Sequence, residues 1–254
     1  MCDDADVVNG PRISVLIPAY NEQQLIAATI DSIHQSFTDI ARESYEIVVC
    51  DNNSTDRTAE IARAARARVV FEPHNQIARA RNMAAKYARG QWFIFLDADT
   101  QLNPATLRAT IAALGSGRTG AGGSVVRLGS DRLGPGARLL VRTWNSISQI
   151  LKLAAGSYVF CLREAWAETG GFDEGLYVSE EIWFSRELKR WCRAQGLKFT
   201  ILTGAPIVTS ARKMHWYSPW ELFKQFAGFL IPGTWRKREK CSTWYTRPFP
   251  RNTD

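Results

Sequence analysis

The chain has 254 residues, with 32 Lys+Arg against 25 Asp+Glu for a formal charge of +7, on a background 45% apolar and 22% charged. That is an ordinary globular composition, long enough for one large α/β domain or at most two small ones, so a stapled mini-scaffold is excluded. Cys2, Cys50, Cys161, Cys192 and Cys241 are odd in number and scattered, with no zinc spacing, which points to reduced thiols and a cytosolic setting. The opening MCDDADVVNG lacks a basic-then-apolar leader and no stretch approaches the ~18 apolar residues of a membrane span, so the expectation is a soluble chain, peripheral at most.

ISVLIP (13–18) reads as a buried strand, followed by Asn21 as N-cap of a helix whose Leu25, Thr29, Ile33 and Phe37 recur at period four. YEIVVCD (45–51) is a second strand, with Ser54 capping a helix over 55–67. RVVFEP (68–73) is a third strand, 76–90 a helix stopped by Gly90, and WFIFLDAD (92–99) a fourth strand. Asn103 and Pro104 pair as N-cap and first turn of a helix to about Leu114, and 122–128 is a fifth strand. Such alternation predicts a mostly parallel sheet with helices on both faces and right-handed crossovers.

Past residue 130 the pattern loosens: an amphipathic helix near 137–154, a mixed segment 157–175, a helix 180–195, a strand 198–208, a helix near 219–228 and an aromatic, basic tail. With no repeat or linker, the second half reads as an extension of one domain: 12–130 a nucleotide-binding half, 131–232 an acceptor-side half and 233–254 a tail. Basic residues cluster at 61–90 and in WRKREK (235–240), which suits anionic partners, whether phosphate-bearing small molecules, acidic headgroups or nucleic acid.

Open parallel sheets bind ligands beyond the carboxyl ends of their strands. Those ends are polar here: Pro18-Ala19-Tyr20-Asn21-Glu22, Asp51-Asn52-Asn53-Ser54 and Asp97-Ala98-Asp99. No GxGxxG follows the first strand and no GxxxxGK[ST] occurs, which argues against nicotinamide and P-loop enzymes. Asp97 and Asp99 can face one way from a strand end and offer hard oxygens to Mg²⁺ or Mn²⁺. The pattern alone carries little, since Asp4-Ala5-Asp6 repeats it at the N-terminus.

PAYNE (18–22), CDNNSTDRT (50–58), ARARNMAAKYARG (78–90), FLDADT (95–100) and GGFDEGLYVSEE (170–181) resemble, in order and spacing, the motifs of family-two glycosyltransferases with the GT-A fold, over about residues 12–190. The resemblance implies a single Rossmann-like α/β domain with a helical acceptor-side extension, and inverting transfer of a sugar, hexosyl in type, from a nucleotide-diphosphate donor with Mn²⁺ or Mg²⁺ bound. Pro18, Ala19, Tyr20, Asn21, Glu22, Asp51 and Asn53 would then border the base and ribose, Asp51 accepting from a base N–H. Arg81 would lie near the donor phosphates, which its planar fork fits. Asp97 would face ribose or metal, and Asp99 the metal.

Glu180-Glu181 stands where the family usually carries Glu-Asp, and the second of that pair is the family's general base, so the resemblance implies Glu181 in that role beside Glu180. The same residues would equally open a helix, with Ser179 as cap and both acids favoured by its dipole. Trp183 replaces a carboxylate common in the family. His215 falls where some GT-A enzymes place a metal-bound histidine, and imidazole suits Mn²⁺ better than Mg²⁺. The implied partners are the donor and an unidentified hydroxyl acceptor, sugar, lipid-linked or small, with no nucleic acid. Trp235, Trp244 and the cations between them suggest peripheral contact with an anionic membrane at the inner face. The alternatives are a non-catalytic nucleotide-sugar-binding or membrane-docking protein of the same fold, and a sugar-phosphate nucleotidyltransferase, whose Gly-rich signature is missing.

Overall fold

The computed structural model of the chain describes residues 10–38, 40, 43–129, 135–210 and 234–241. Strands β1 (Ile13–Ala19), β2 (Tyr45–Asp51), β3 (Arg68–Phe71) and β4 (Trp92–Leu96) alternate with helices α1 (Ile26–Thr38), α2 (Thr58–Ala64) and α3 (Ile77–Tyr87). All four strands run parallel, with Ala19 beside Asp51 and Phe95 beside Leu16, so their carboxyl ends line one side of the sheet. Strands covered on both faces need apolar residues at every position rather than every second one, and β1 and β4 are buried throughout. Val15, Ile17, Ile94 and Leu96 point into the core beneath α1, while Leu16, Val48, Phe93 and Phe95 meet α3. The latter helix presents alanines at 78, 80, 84 and 85, whose small side chains let it lie close to the sheet.

The second half contributes β5 (Thr100–Gln101), α4 (Pro104–Gly115), β6 (Thr119–Leu128), α5 (Pro135–Leu151), β7 (Tyr158–Leu162), α6 (Arg163–Thr169), α7 (Glu180–Ala194) and β8 (Lys198–Thr209). The eight strands form one sheet in the order β3-β2-β1-β4-β7-β6-β8-β5. It is mostly parallel, as the alternation predicts, and β7 is antiparallel to both β4 and β6. This strand lies inside the segment read from sequence only as mixed. Its reversal brings Tyr158 beside Leu96, so the preceding Gly156 and Ser157 join the carboxyl ends of the other strands. Where β6 is crossed it needs glycine, since a Cβ on Gly122 would fall 2.0 Å from the Thr200 carbonyl oxygen and 2.5 Å from the Phe160 ring.

Asn103 caps α4 as expected, its side chain accepting from Thr106 N–H at 2.9 Å with Pro104 opening the helix. Two other expected caps differ. Helix α1 begins at Ile26 and α2 at Thr58, so Asn21 and Ser54 lie too far upstream to cap them. Each is used instead to join two loops, described below. The expected helix near 219–228, the aromatics Trp216, Tyr217, Trp220, Trp244 and Tyr245, and His215 fall outside the described residues.

Candidate active site

At the carboxyl ends of β1 and β2, two loops are laced together. Asn21 N–H donates to Ser54 Oγ at 3.0 Å, and Asn21 Oδ1 accepts from Thr55 N–H at 2.8 Å. Glu22 N–H donates to Thr58 Oγ1 at 2.7 Å, and that hydroxyl donates in turn to Asp56. Asn21 and Asn53 take left-handed backbone, with φ of 52° and 64°, a conformation that asparagine tolerates better than most residues. Asp51 is buried and accepts from Ser54 N–H at 3.1 Å. Asn21 and Glu22 are thus tied to Ser54, Thr55 and Thr58, 33 to 36 residues away in sequence, and Pro18, Ala19, Tyr20, Asp51 and Asn53 lie on the same two strand ends and loops.

The opposite wall is organised by Arg81, on the second turn of α3 and only 1% exposed. Its guanidinium donates to Asp97 at 2.8 Å, to the Gly156 carbonyl at 2.9 Å and, in a short ion pair, to Glu180. Three of its five N–H groups are therefore taken by protein oxygens. Desolvation works against the charged guanidinium, but Asp97, Glu180 and Glu181 outweigh it and hold its pKa above the ordinary arginine value. Phe172 closes the face of the cation, 5.1 Å from ring centre to Cζ.

Glu180 and Glu181 open α7, where the helix dipole favours acids. Ser179 is at the N-cap position, yet it is left-handed with φ 62° and makes no cap bond, so the capping reading of this tripeptide fails at its serine. Glu180 is 3% exposed, and burial raises its carboxyl against the pull of Arg81. Glu181 makes no ion pair among the described residues. It is partly exposed beside Gly156, and desolvation, followed by the charge of Glu180, pushes its pKa up to about 8. A carboxyl raised in this way is more basic than an ordinary glutamate, the property a general base working near neutral pH requires.

The shift carries a stability consequence. Because the folded state holds this proton to about 8 and the unfolded chain only to about 4.5, folded protein binds more protons across that window and stability falls as pH rises through it. Glu181→Gln removes the loss, so its melting temperature relative to the parent should climb between pH 5 and pH 8. A gap that stays constant across differential scanning calorimetry at those pH values would show the carboxyl to be unperturbed.

Three residues that sequence reasoning did not single out hold this site together. Asn52 donates to the Glu72 and His74 carbonyls and accepts from Gln76 N–H at 2.8 Å, tying β2 to the start of α3. Gln76 donates to the carbonyls of Glu174 and Leu176, and Asn82 both donates to the Phe172 carbonyl and accepts from its N–H. The GGFDEGLYV segment that leads into α7 is thereby fixed to α3. Asn52 and Asn82 sit inside the quoted motifs, and buried amides there were the available signal.

Part of the basic tail also belongs to this wall. Tyr177 N–H donates to the Trp235 carbonyl at 2.7 Å, Arg236 pairs with Asp173 at 3.0 Å, and the Trp235 ring lies 6.5 Å from that of Trp183. Cys241 is fully buried, and burial, then the charge of Glu180, push its thiol up. Residues 234–241 are packed on the loop before α7 rather than standing apart from the domain.

Asp97 and Asp99 follow β4, Asp97 on Arg81 and Asp99 accepting from Ser210 N–H through its carbonyl at 3.1 Å. Among the described residues no group of three or more His, Cys, Asp or Glu could hold a metal unaided.

Two interlaced loops, a carboxylate pair after β4 and a raised glutamate on α7 thus converge at one end of a mostly parallel sheet. The family model described as Glycosyl transferase family 2 matches residues 14–162. The chain belongs to that family. The chain is 28% identical over 186 residues to the hyaluronan synthase of Pasteurella multocida, a match covering 68% of the chain but only 18% of the synthase. Among solved structures it resembles a mannosyltransferase from Pyrobaculum calidifontis in complex with GDP-Man and Mn²⁺, with a TM-score of 0.67 and 21% identity over 96% of this chain and 67% of that one. It also resembles Staphylococcus aureus TarS in complex with UDP-GlcNAc, with a TM-score of 0.62 and 19% identity over 86% of this chain and 66% of that one. At those identities the likeness establishes the GT-A fold of the chain.

Proposed function

We propose that this chain moves a sugar from a nucleotide-diphosphate donor to an acceptor hydroxyl in a single inverting displacement, with Glu181 as general base. The observation that carries this reading is the raised carboxyl of Glu181, partly exposed and free of an ion pair among the described residues, beside a buried Arg81 network at the strand ends. Glu181 would take the acceptor hydroxyl's proton as its oxygen attacks the anomeric carbon from the face opposite the departing diphosphate. One displacement inverts that carbon, and no covalent enzyme intermediate forms.

The loops Pro18–Glu22 and Asp51–Asn53 would receive the base and ribose. Their backbone is held before any ligand arrives, which lowers the ordering cost of binding. In this reading Arg81, buried and bonded to Asp97, Glu180 and the Gly156 carbonyl, acts as a positioning residue that fixes the two carboxylates rather than as a direct phosphate contact. Asp97 and Asp99 offer the hard oxygens a divalent cation prefers, and two protein carboxylates suit Mg²⁺ or Mn²⁺ when substrate phosphates complete the shell. Such an ion, when bound, would neutralise charge developing on the leaving diphosphate. That the similar mannosyltransferase structure holds GDP-Man with Mn²⁺ supports this assignment.

Thermal-shift measurement against UDP, GDP, CDP and dTDP sugars, with and without Mn²⁺, tests the reading. A donor at 100 times its dissociation constant stabilises by about 2.7 kcal/mol. Asp99→Ala should melt as the parent does without ligand, yet lose the Mn²⁺-dependent part of the donor shift and turnover. A variant that keeps both would remove Asp99 from the metal site.

A further inference from the structure

Helix α5 (Pro135–Leu151) is held by one face. Asn145 exchanges a pair of hydrogen bonds with the Val126 backbone at 2.8 and 2.9 Å, Ser148 Oγ donates to the Leu153 carbonyl at 2.6 Å, and Trp144 packs against the core. By helical spacing Leu139, Ile147 and Ile150 fall on the opposite side, and they are 65%, 40% and 78% exposed, with Leu151 adding to the stripe at 55%. These are four of the seven large exposed apolar side chains among the described residues, gathered on one helix.

The rim of this stripe is cationic. Residues 135–151 contain Arg138 and Arg142 and no Asp or Glu, and Lys152 follows directly. From α7, the Lys189 ammonium donates to the Leu151 carbonyl at 2.9 Å. Burial, then the charges of Arg186, Arg193 and Lys152, hold its pKa below the ordinary lysine value, so these cations converge where the two helices meet. A second copy of the chain would set like charges against each other across a two-fold contact, which is unfavourable. An apolar stripe flanked by cations instead matches a surface with negative headgroups over an acyl interior.

We propose that α5 is an interfacial helix that docks the protein on an anionic lipid bilayer, with Leu139, Ile147, Ile150 and Leu151 entering the headgroup boundary. This surface is distinct from the tail, whose Trp235 and Arg236 are engaged by Tyr177 and Asp173. Helix α5 leads directly into the loop that places the Gly156 carbonyl on Arg81, so docking would bring the Glu181 end of the site toward the membrane.

The full chain with Ile150→Cys, labelled by a water-soluble maleimide against the parent as background, tests this. Labelling should be fast in solution and fall at least about fivefold with vesicles of mixed phosphatidylcholine and phosphatidylglycerol, but not with phosphatidylcholine alone, since the flanking cations are attracted only to the anionic surface. In co-sedimentation with the same vesicles, Leu139→Ser/Ile150→Glu and, separately, Arg142→Glu/Lys152→Glu should each lower binding roughly tenfold while melting as the parent does. Protection of Ile150→Cys without vesicles would mean that another segment or a second copy covers the stripe. That result, equal protection by both vesicle types, or unchanged sedimentation of the double variants would each overturn the assignment. Binding is read without donor or acceptor, so its failure leaves the transfer reaction untouched.

Discussion

Glu181→Gln is expected to lower kcat by roughly 10²–10⁴-fold while leaving donor affinity in place, because a general base contributes about that factor and this one addresses the acceptor. The parent's kcat/KM should rise with pH through about 8 and then level, since the carboxyl must lose its proton to act. The variant's residual rate should lack that limb. Quenched-flow turnover across pH 6–9, with donor affinity followed separately by titration, reads both effects. A variant at the parent's rate would move the search for the base to Asp173 or Glu174. Glu180→Gln is not a neutral control here. Glu180 is buried on Arg81, so its neutralisation should cost fold stability as well as rate.

Arg81→Met is expected to lower stability by about 3–5 kcal/mol, the usual loss when one member of a buried ion network is removed and its partners stay charged. Asp97 and Glu180 would then face each other without the guanidinium between them. Arg81→Met combined with Glu180→Leu should recover much of the loss, because the second change removes a stranded charge. Urea unfolding of the parent, both single variants and the double variant gives the coupling directly. Additive losses in the double variant would show that the ion network is not what holds this wall. If Arg81 positions Asp97 as well, the single variant should also lose Mn²⁺-dependent donor binding at temperatures where it remains folded.

The parts of the fold legible in sequence are those whose signal is local. β1, β2 and β4 announce themselves as predominantly apolar runs without strict alternation, and Asn103-Pro104 marks a helix start because cap and first turn are adjacent residues. β7 was not legible. YVFCL is short, and nothing nearby indicates that it runs against its neighbours. The site divides in the same way. Its candidate residues could be gathered from motifs and strand ends, but the protein partners of Arg81 could not, because they lie 16, 75 and 99 residues away and no spacing rule connects them. Asn21 and Ser54 looked like caps because asparagine and serine favour both jobs. Only the approach of the two loops assigns them to bridging.

The place of β7 has a further consequence during synthesis. The chain is made from its N-terminus, so when β1 to β4 have emerged β4 is paired with β1 on one side only, and its other side, Trp92–Leu96, stays open until Tyr158–Leu162 has been made. An unpaired strand of sequence WFIFL is an edge of the kind that recruits other chains into aggregates. The nascent protein must therefore shield this edge over more than sixty residues of elongation, and a fragment ending near residue 130 should collect as insoluble material rather than fold as a free-standing nucleotide-binding half.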